Sequence, residues 1–342
     1  MDDPIEALFA KGVTDGLPVV PPTPDRVRRL LGGTARAPDE LVALVPPNYG
    51  RATVEKIAVN AVMAGCLPEY LPVVIAAVEA VCEEKFDIHG VSATTNSAWP
   101  LLIVNGPIRP RIGLNAGAGV FGPGFRANAT IGRALRLILV NLGGARPGEI
   151  SMSTFGHPGR YTSCIAENEE ASPWEPFHLE RGFPREASTV TAFAAQAPLE
   201  INEHACRTAE TLVTALGWSM AGLWSYYSWP LNCNTLLVLS PEHARTIADS
   251  GWSKSDIRRF LYEQIRLPAE ALGPARAAAM ELMGGGGRDA AGGAGGLVPK
   301  FPTPDSLLIM VAGGTAGRFS AALAGWIGFE AGSQVVTRVI AE

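Results

Sequence analysis

The sequence predicts an α/β protein: a mixed, largely parallel sheet flanked by helices, with a flexible glycine-rich loop in its C-terminal part. Three observations carry that prediction. First, Leu101-Leu102-Ile103-Val104, Leu236-Leu237-Val238-Leu239 and Leu307-Leu308-Ile309-Met310-Val311 are uninterrupted apolar runs. Each stops at turn residues: Asn105-Gly106-Pro107, Ser240-Pro241 and Ala312-Gly313-Gly314. Short runs without a polar face read as strands buried on both sides, the habit of parallel sheets. Second, helical periodicity lies between them, most clearly at Ile131, Leu135, Ile138, Leu139 and Leu142. Third, Gly284–Gly296, GGGGRDAAGGAGG, has almost no side chains with which to pack and reads as a loop or linker. The organisation expected is a main α/β portion over 1–230 and a C-terminal α/β portion over 231–342. The latter sits on the same sheet or forms a small second domain.

In chain order, DGLPVVPP (15–22) is a proline-punctuated extended arm, unsuited to an interior strand. Thr23 caps a helix with Pro24 at its first position. Thr53 starts a second helix with an apolar face of Val54, Ile57, Ala58, Ala61 and Val62. Pro68 opens a third, apolar nearly all round from Val73 to Val81 and therefore deeply buried. Tyr161–Ala166, Val190–Phe193 and Val335–Ile340 are short β-prone pieces that extend the sheet. PEHARTIADSG and SKSDIRRFLYEQ are helices after the second run, the latter capped by Ser253, and His243 reads as surface or capping.

With 342 residues, 47% hydrophobic and only 18% charged, the chain has little polar surface to cover its apolar side chains. That favours a homo-oligomer. A net charge of −5 is unlike a nucleic-acid surface. No basic-then-apolar leader and no apolar run of about 18 residues is seen, so no membrane partner is expected. The five cysteines are widely spaced without a C-x-x-C pair, neither a disulfide framework nor a zinc pattern. A cytoplasmic location follows.

The stretch that suggests binding is Asn115–Gly148. Gly113, Gly117, Gly119, Gly122 and Gly124 precede a helix, where outward N–H groups and the helix dipole suit an anion. Asn115, Gly117, Gly119, Arg126, Asn128 and Arg133 are the substrate-binding candidates. The pattern is not a P-loop. Gly117–Gly122 has dinucleotide-motif letters, but no strand precedes it and no acid follows at about 20 residues. No cofactor motif is identifiable.

Gly156–Arg181 is the densest reactive stretch, with His157, Cys164, Glu167, Glu169, Glu170, Trp174, Glu175 and His178. A thiol beside histidine and carboxylate is how a thiolate is made and oriented. Cys164 or Cys66 is the candidate nucleophile, and His157, His89 or Glu167 moves protons. An alternative is a divalent metal held by His89, His157, His178 and Glu167. Asn202, before Glu203, His204 and Cys206, reads as a helix cap. Trp218, Trp224, Tyr226, Tyr227 and Trp229 read as core or subunit interface.

DGLPVVPPTPDRV, TVEKIAVNAVMAGCLPEYLPVV, NGPIRPRIGLNAGAGVFGPGFRANATIGRALRLILVNLGGARPG and SCIAENEEASPWEPFHLERGF together resemble an uncharacterised bacterial family. That family is associated with, or fused to, UGSC-type selenoproteins or thiol proteins. The resemblance implies a redox or nucleophilic thiol, similar in logic to selenoproteins that reductively cleave carbon–heteroatom bonds. Together with the glycine loop it gives the expectation of an enzyme acting on a small anionic metabolite by thiol chemistry at a carbon–sulfur or other carbon–heteroatom bond, by lyase or reductive cleavage. It also implies a thiol or selenol redox partner, for which this chain is enzyme or non-catalytic binding subunit. The partner's own motif is absent here, and the resemblance assigns no catalytic residue.

Overall fold

The computed structural model describes residues 3–223, 234–268, 271, 273, 296–327 and 332–341. It is an α/β fold with mixed sheets flanked by helices. Two compact units share the chain. The first joins Met1–Glu167, His178–Ala194 and Gln334–Glu342, and the second joins Asn168–Phe177 and Ala195–Ser333. The division expected at 230/231 lies outside the described residues; the compact units divide elsewhere.

In the first unit a four-stranded sheet has the order Val336–Val339, Thr189–Ala195, Trp99–Asn105, Cys164–Ala166. Trp99–Asn105, which contains the first predicted apolar run, is buried at all seven positions. It runs parallel to Cys164–Ala166, with Leu102 opposite Cys164. Val336–Val339 runs antiparallel to Thr189–Ala195. All three predicted β-prone pieces are therefore strands of one sheet. A turn closes the central strand at Gly106, whose φ is 86° and whose missing Cβ lets the main chain of Ala187 and Ser188 approach closely.

Helix Val54–Ala64 is capped by Thr53, whose Oγ1 accepts from Lys56 N at 3.3 Å, and it packs on Arg126–Asn141. Helix Leu71–Val81 is buried everywhere except Glu79. It begins later than Pro68, because Pro72 has no N–H to give the Pro68 carbonyl. Pro68–Tyr70 forms a 3-10 turn instead. Each fully buried Val, Leu or Ile here contributes about 1.5–3 kcal/mol. That burial offsets the modest propensity of a β-branched run.

The second unit has the strand order Leu307–Val311, Thr235–Leu239, Phe319–Ala324, Leu199–Asn202. The other two apolar runs pair in parallel, from Leu307 opposite Thr235 to Val311 opposite Leu239. Phe319–Ala324 is antiparallel to both neighbours. The sheets are thus mixed rather than largely parallel. The extra strands, such as Phe319–Ala324, are short and small-residued and add antiparallel pairings. Leu212, Leu216, Leu237, Ile247, Ile257, Leu261 and Ile309 form the core of this unit. Ser253 caps helix Lys254–Gln264, with Asp256 returning the bond. Of the predicted aromatic run, Trp218 is 67% exposed and not core, whereas Trp224, Tyr226, Tyr227 and Trp229 lie outside the described residues. So does the glycine run up to residue 295. Among the described residues no helix is long and apolar enough to cross a membrane.

Candidate functional site

The glycine loop does feed a helix, Arg126–Asn141, but its side chains are occupied within the fold. Asn128 is buried, and its Oδ1 accepts from Asn115 N at 2.8 Å. Its Nδ2 donates to Asn115 O at 3.0 Å and to Cys164 O at 3.2 Å. Asn115 turns back on the loop, accepting from Gly117 N and donating to Ala118 O. Arg126 holds the Gly65 carbonyl through Nε and Nη2. Arg133 meets Asp15 at 2.9 and 2.8 Å and also donates to Leu17 O and Pro18 O, tying down the extended arm. These side chains thus brace the loop and the extended arm. Gly119 and Gly124 are needed there for their φ of 70° and 112°, not for space.

Both candidate nucleophiles are buried free thiols. Cys66 Sγ donates to Thr130 O at 3.3 Å, and burial pushes its thiol up to about 12 against the weaker pull of Thr130 and Arg126. Cys164, on its strand, is also pushed up, by burial and then by Cys66. Burial thus works against the thiolate at both, the reverse of the setting that activates a nucleophile.

His157 caps the turn Pro158–Arg160, its Nδ1 accepting from Gly159 N at 3.2 Å. His89, exposed on helix Ile88–Ala93, lines a cleft of about 820 Å³ with Tyr49, Glu79, Glu83, Asp87 and Arg338. The His89 and Tyr49 rings stand 6.4 Å apart. In that cleft Glu83 pairs with Arg338 at 2.6 Å, and Glu79 pairs with Arg36 at 2.6 Å. His178 is fully buried. Among the described residues no group of three or more His, Cys, Asp or Glu is placed to hold a metal ion. The predicted set of His89, His157, His178 and Glu167 is thus not assembled.

Gly156–Arg181 divides between the units after Glu167 and before His178. In the second unit Trp174 donates Nε1 to Trp252 O at 3.0 Å, and the Glu175 carbonyl accepts from Lys254 Nζ at 2.9 Å. These are packing roles.

Glu167 is different. It directly follows strand Cys164–Ala166 and is fully buried. Asn105, the last residue of the adjacent parallel strand, donates Nδ2 to Glu167 Oε2 at 2.5 Å. Arg109, also buried, donates Nη1 to the Glu167 carbonyl at 2.8 Å and Nε to Gly106 O at 3.2 Å. A carboxyl, an amide and a guanidinium thus meet at the carboxyl ends of two parallel strands, where α/β proteins place ligands. The sequence showed Asn105 only as a strand stop and gave Arg109 no signal.

At the opposite end of the same strand, Trp99 carries two guanidiniums, of Arg136 and Arg160, each 4.6 Å from its ring centroid. Arg160 donates to Ser97 O, Ala98 O and Ser151 Oγ. Arg136 is 6% exposed, and its Nη1 has no hydrogen-bond partner among the described residues. Burial and then Arg136 push Arg160 down to about 10. A buried ion costs several kcal/mol. Stacking on an aromatic ring returns only about 0.5–2 kcal/mol.

In the second unit Thr208, not Asn202, caps helix Ala209–Ala221. His243 is buried rather than on the surface, sharing Nδ1 with Ser320 Oγ at 2.8 Å and Nε2 with the Glu203 carbonyl at 3.0 Å. No protein-family model matches the chain, and no curated protein matches it significantly.

Proposed function

We propose that the protein is an enzyme acting on a small anionic metabolite, with Glu167 moving a proton in a lyase-type step at a carbon–heteroatom bond. One observation carries this reading: the Glu167 carboxyl is sealed from water yet held by Asn105 at the carboxyl end of a parallel strand pair. Buried carboxyls with fixed hydrogen-bond donors are suited to general acid–base work. Arg109 brings positive charge to the same place, which favours an anionic substrate. Proton abstraction next to a carboxylate, followed by loss of the heteroatom group, uses this set.

The test is solvent-deuterium exchange into a panel of small carboxylic and thioether acids, followed by NMR. The wild-type protein exchanges at least one of them, and Glu167→Gln slows that exchange by about 10²-fold or more. Glu167→Gln exchanging at the wild-type rate sinks the proposal.

A thiol mechanism is the second reading. It is favoured by Cys66 and Cys164 lying close enough for one to raise the other. In it a thiol or selenol redox partner opens the two buried thiols. Alkylation of Cys66 or Cys164 only when such a partner is present supports it, and equal labelling with and without partner removes it. A homo-oligomer is a further part of the proposal, supported by exposed Phe121, Phe125, Met152 and Phe155.

A further inference from the structure

We propose that Arg136 and Arg160, stacked on Trp99, form a binding site for a compact oxyanion: a phosphate, sulfate or carboxylate group. The site is separate from Glu167. Trp99 and Asn105 begin and end one strand, six residues apart, so about 20 Å lies between the two places.

Both guanidinium carbons sit 4.6 Å from one indole ring, so they are no farther apart than about twice that distance. Like charges held that close and taken from water repel each other unless an anion joins them. The acidic groups acting on Arg136 are Asp15 and Tyr161. The Asp15 carboxylate is already bonded twice to Arg133. Arg160 spends its bonds on the Ser97 and Ala98 carbonyls and the Ser151 hydroxyl, none of which neutralises charge. Among the described residues Arg136 Nη1 has no hydrogen-bond partner, and Arg136 is nine-tenths buried. Ser151 Oγ, accepting from Arg160 at 2.6 Å, keeps its own proton to donate. A planar fork of guanidinium N–H groups is the donor geometry that oxyanions bind best. The inference does not rest on the Glu167 reading.

The experiment is calorimetry on the full chain in anion-poor buffer, titrated separately with inorganic phosphate, glycerol phosphate and succinate. At least one binds, one per chain, with Kd below about 1 mM. Binding of glycerol phosphate as well as free phosphate marks a phosphate-ester ligand, whereas succinate alone marks a carboxylate. Arg136→Met and Arg160→Gln each weaken the binding at least about tenfold, whereas Glu167→Gln leaves it unchanged. The proposal is overturned if none of the three binds below about 1 mM. It is also overturned if either folded arginine variant binds as wild type, or if Glu167→Gln weakens binding as much as they do. Should Arg136→Met fail to fold, Arg160→Gln decides alone.

Discussion

Arg133 and Arg136 stand one turn apart on the same helix, and their surroundings are opposites. Arg133 grips a carboxylate, Asp15, that is itself wholly buried, and its remaining bonds go to carbonyls of the extended arm. Arg136 is more deeply buried than Arg133, lies over an indole already shared with another arginine, and among the described residues leaves Nη1 unbonded. The first is a strut that completes itself within the chain. The second is half of an interaction whose other half is an anion. A buried charge thus reads as structure or as binding according to who answers it.

The comparison breaks first at the strut. Arg133→Met strands the Asp15 carboxylate without its partner and lowers stability by about 3–5 kcal/mol. Urea unfolding measures this, and a loss under about 1 kcal/mol would mean the arm is held by something else.

His243 sharpens it from the second unit, because it is a buried titratable group whose ring is bonded at both nitrogens. Burial lowers its pKa from 6.5, and Arg318 also lowers it, whereas the Glu203 carbonyl and the Glu242 and Glu203 carboxylates raise it. A depressed folded value means the unfolded chain takes up the proton first as pH falls. The stability His243 contributes is therefore complete above about 6.5 and declines as pH drops toward the lowered folded value, below which the loss levels off. Unfolding free energies at about pH 5 and about pH 7.5 check this; His243→Gln flattens the difference, and an unchanged profile refutes the assignment.

The smallest effect is expected at Arg136. Arg136→Met, in the absence of anion, leaves stability within about 1 kcal/mol of wild type or raises it, since it removes a buried charge whose nearest acid, Asp15, is already bonded to Arg133. A loss as large as that of Arg133→Met would make Arg136 a second strut and erase the contrast.

These contrasts were only partly legible in the sequence. The three apolar runs announced themselves because a strand buried on both faces needs no polar position. Thr23, Thr53 and Ser253 were readable as caps because a cap bonds a residue only three ahead. Phe319–Ala324, with its alternating small residues, carries no such mark, and its antiparallel partners are chosen by distant chain. The helix Arg126–Asn141 displayed its basic character openly. Which arginine meets Asp15, 118 residues away, is fixed only by folding. His243 did leave a trace: with Ala244 and Ile247 it lies on the buried face of its helix. Glu167 was visible as a candidate, but Asn105 and Arg109, which give it its setting, were hidden in a strand end and a turn.

The first unit's sheet takes its outer strand, Val336–Val339, from beyond the whole of the Ala195–Ser333 segment. A ribosome therefore finishes nearly all of the second unit before the first can close its sheet. Until then Thr189–Ala195 lacks that neighbour, a sticky edge open to other nascent chains. The protein's yield in a cell should depend on how that waiting edge is shielded during synthesis. Truncation anywhere ahead of Val336 then costs the first unit, not merely a tail.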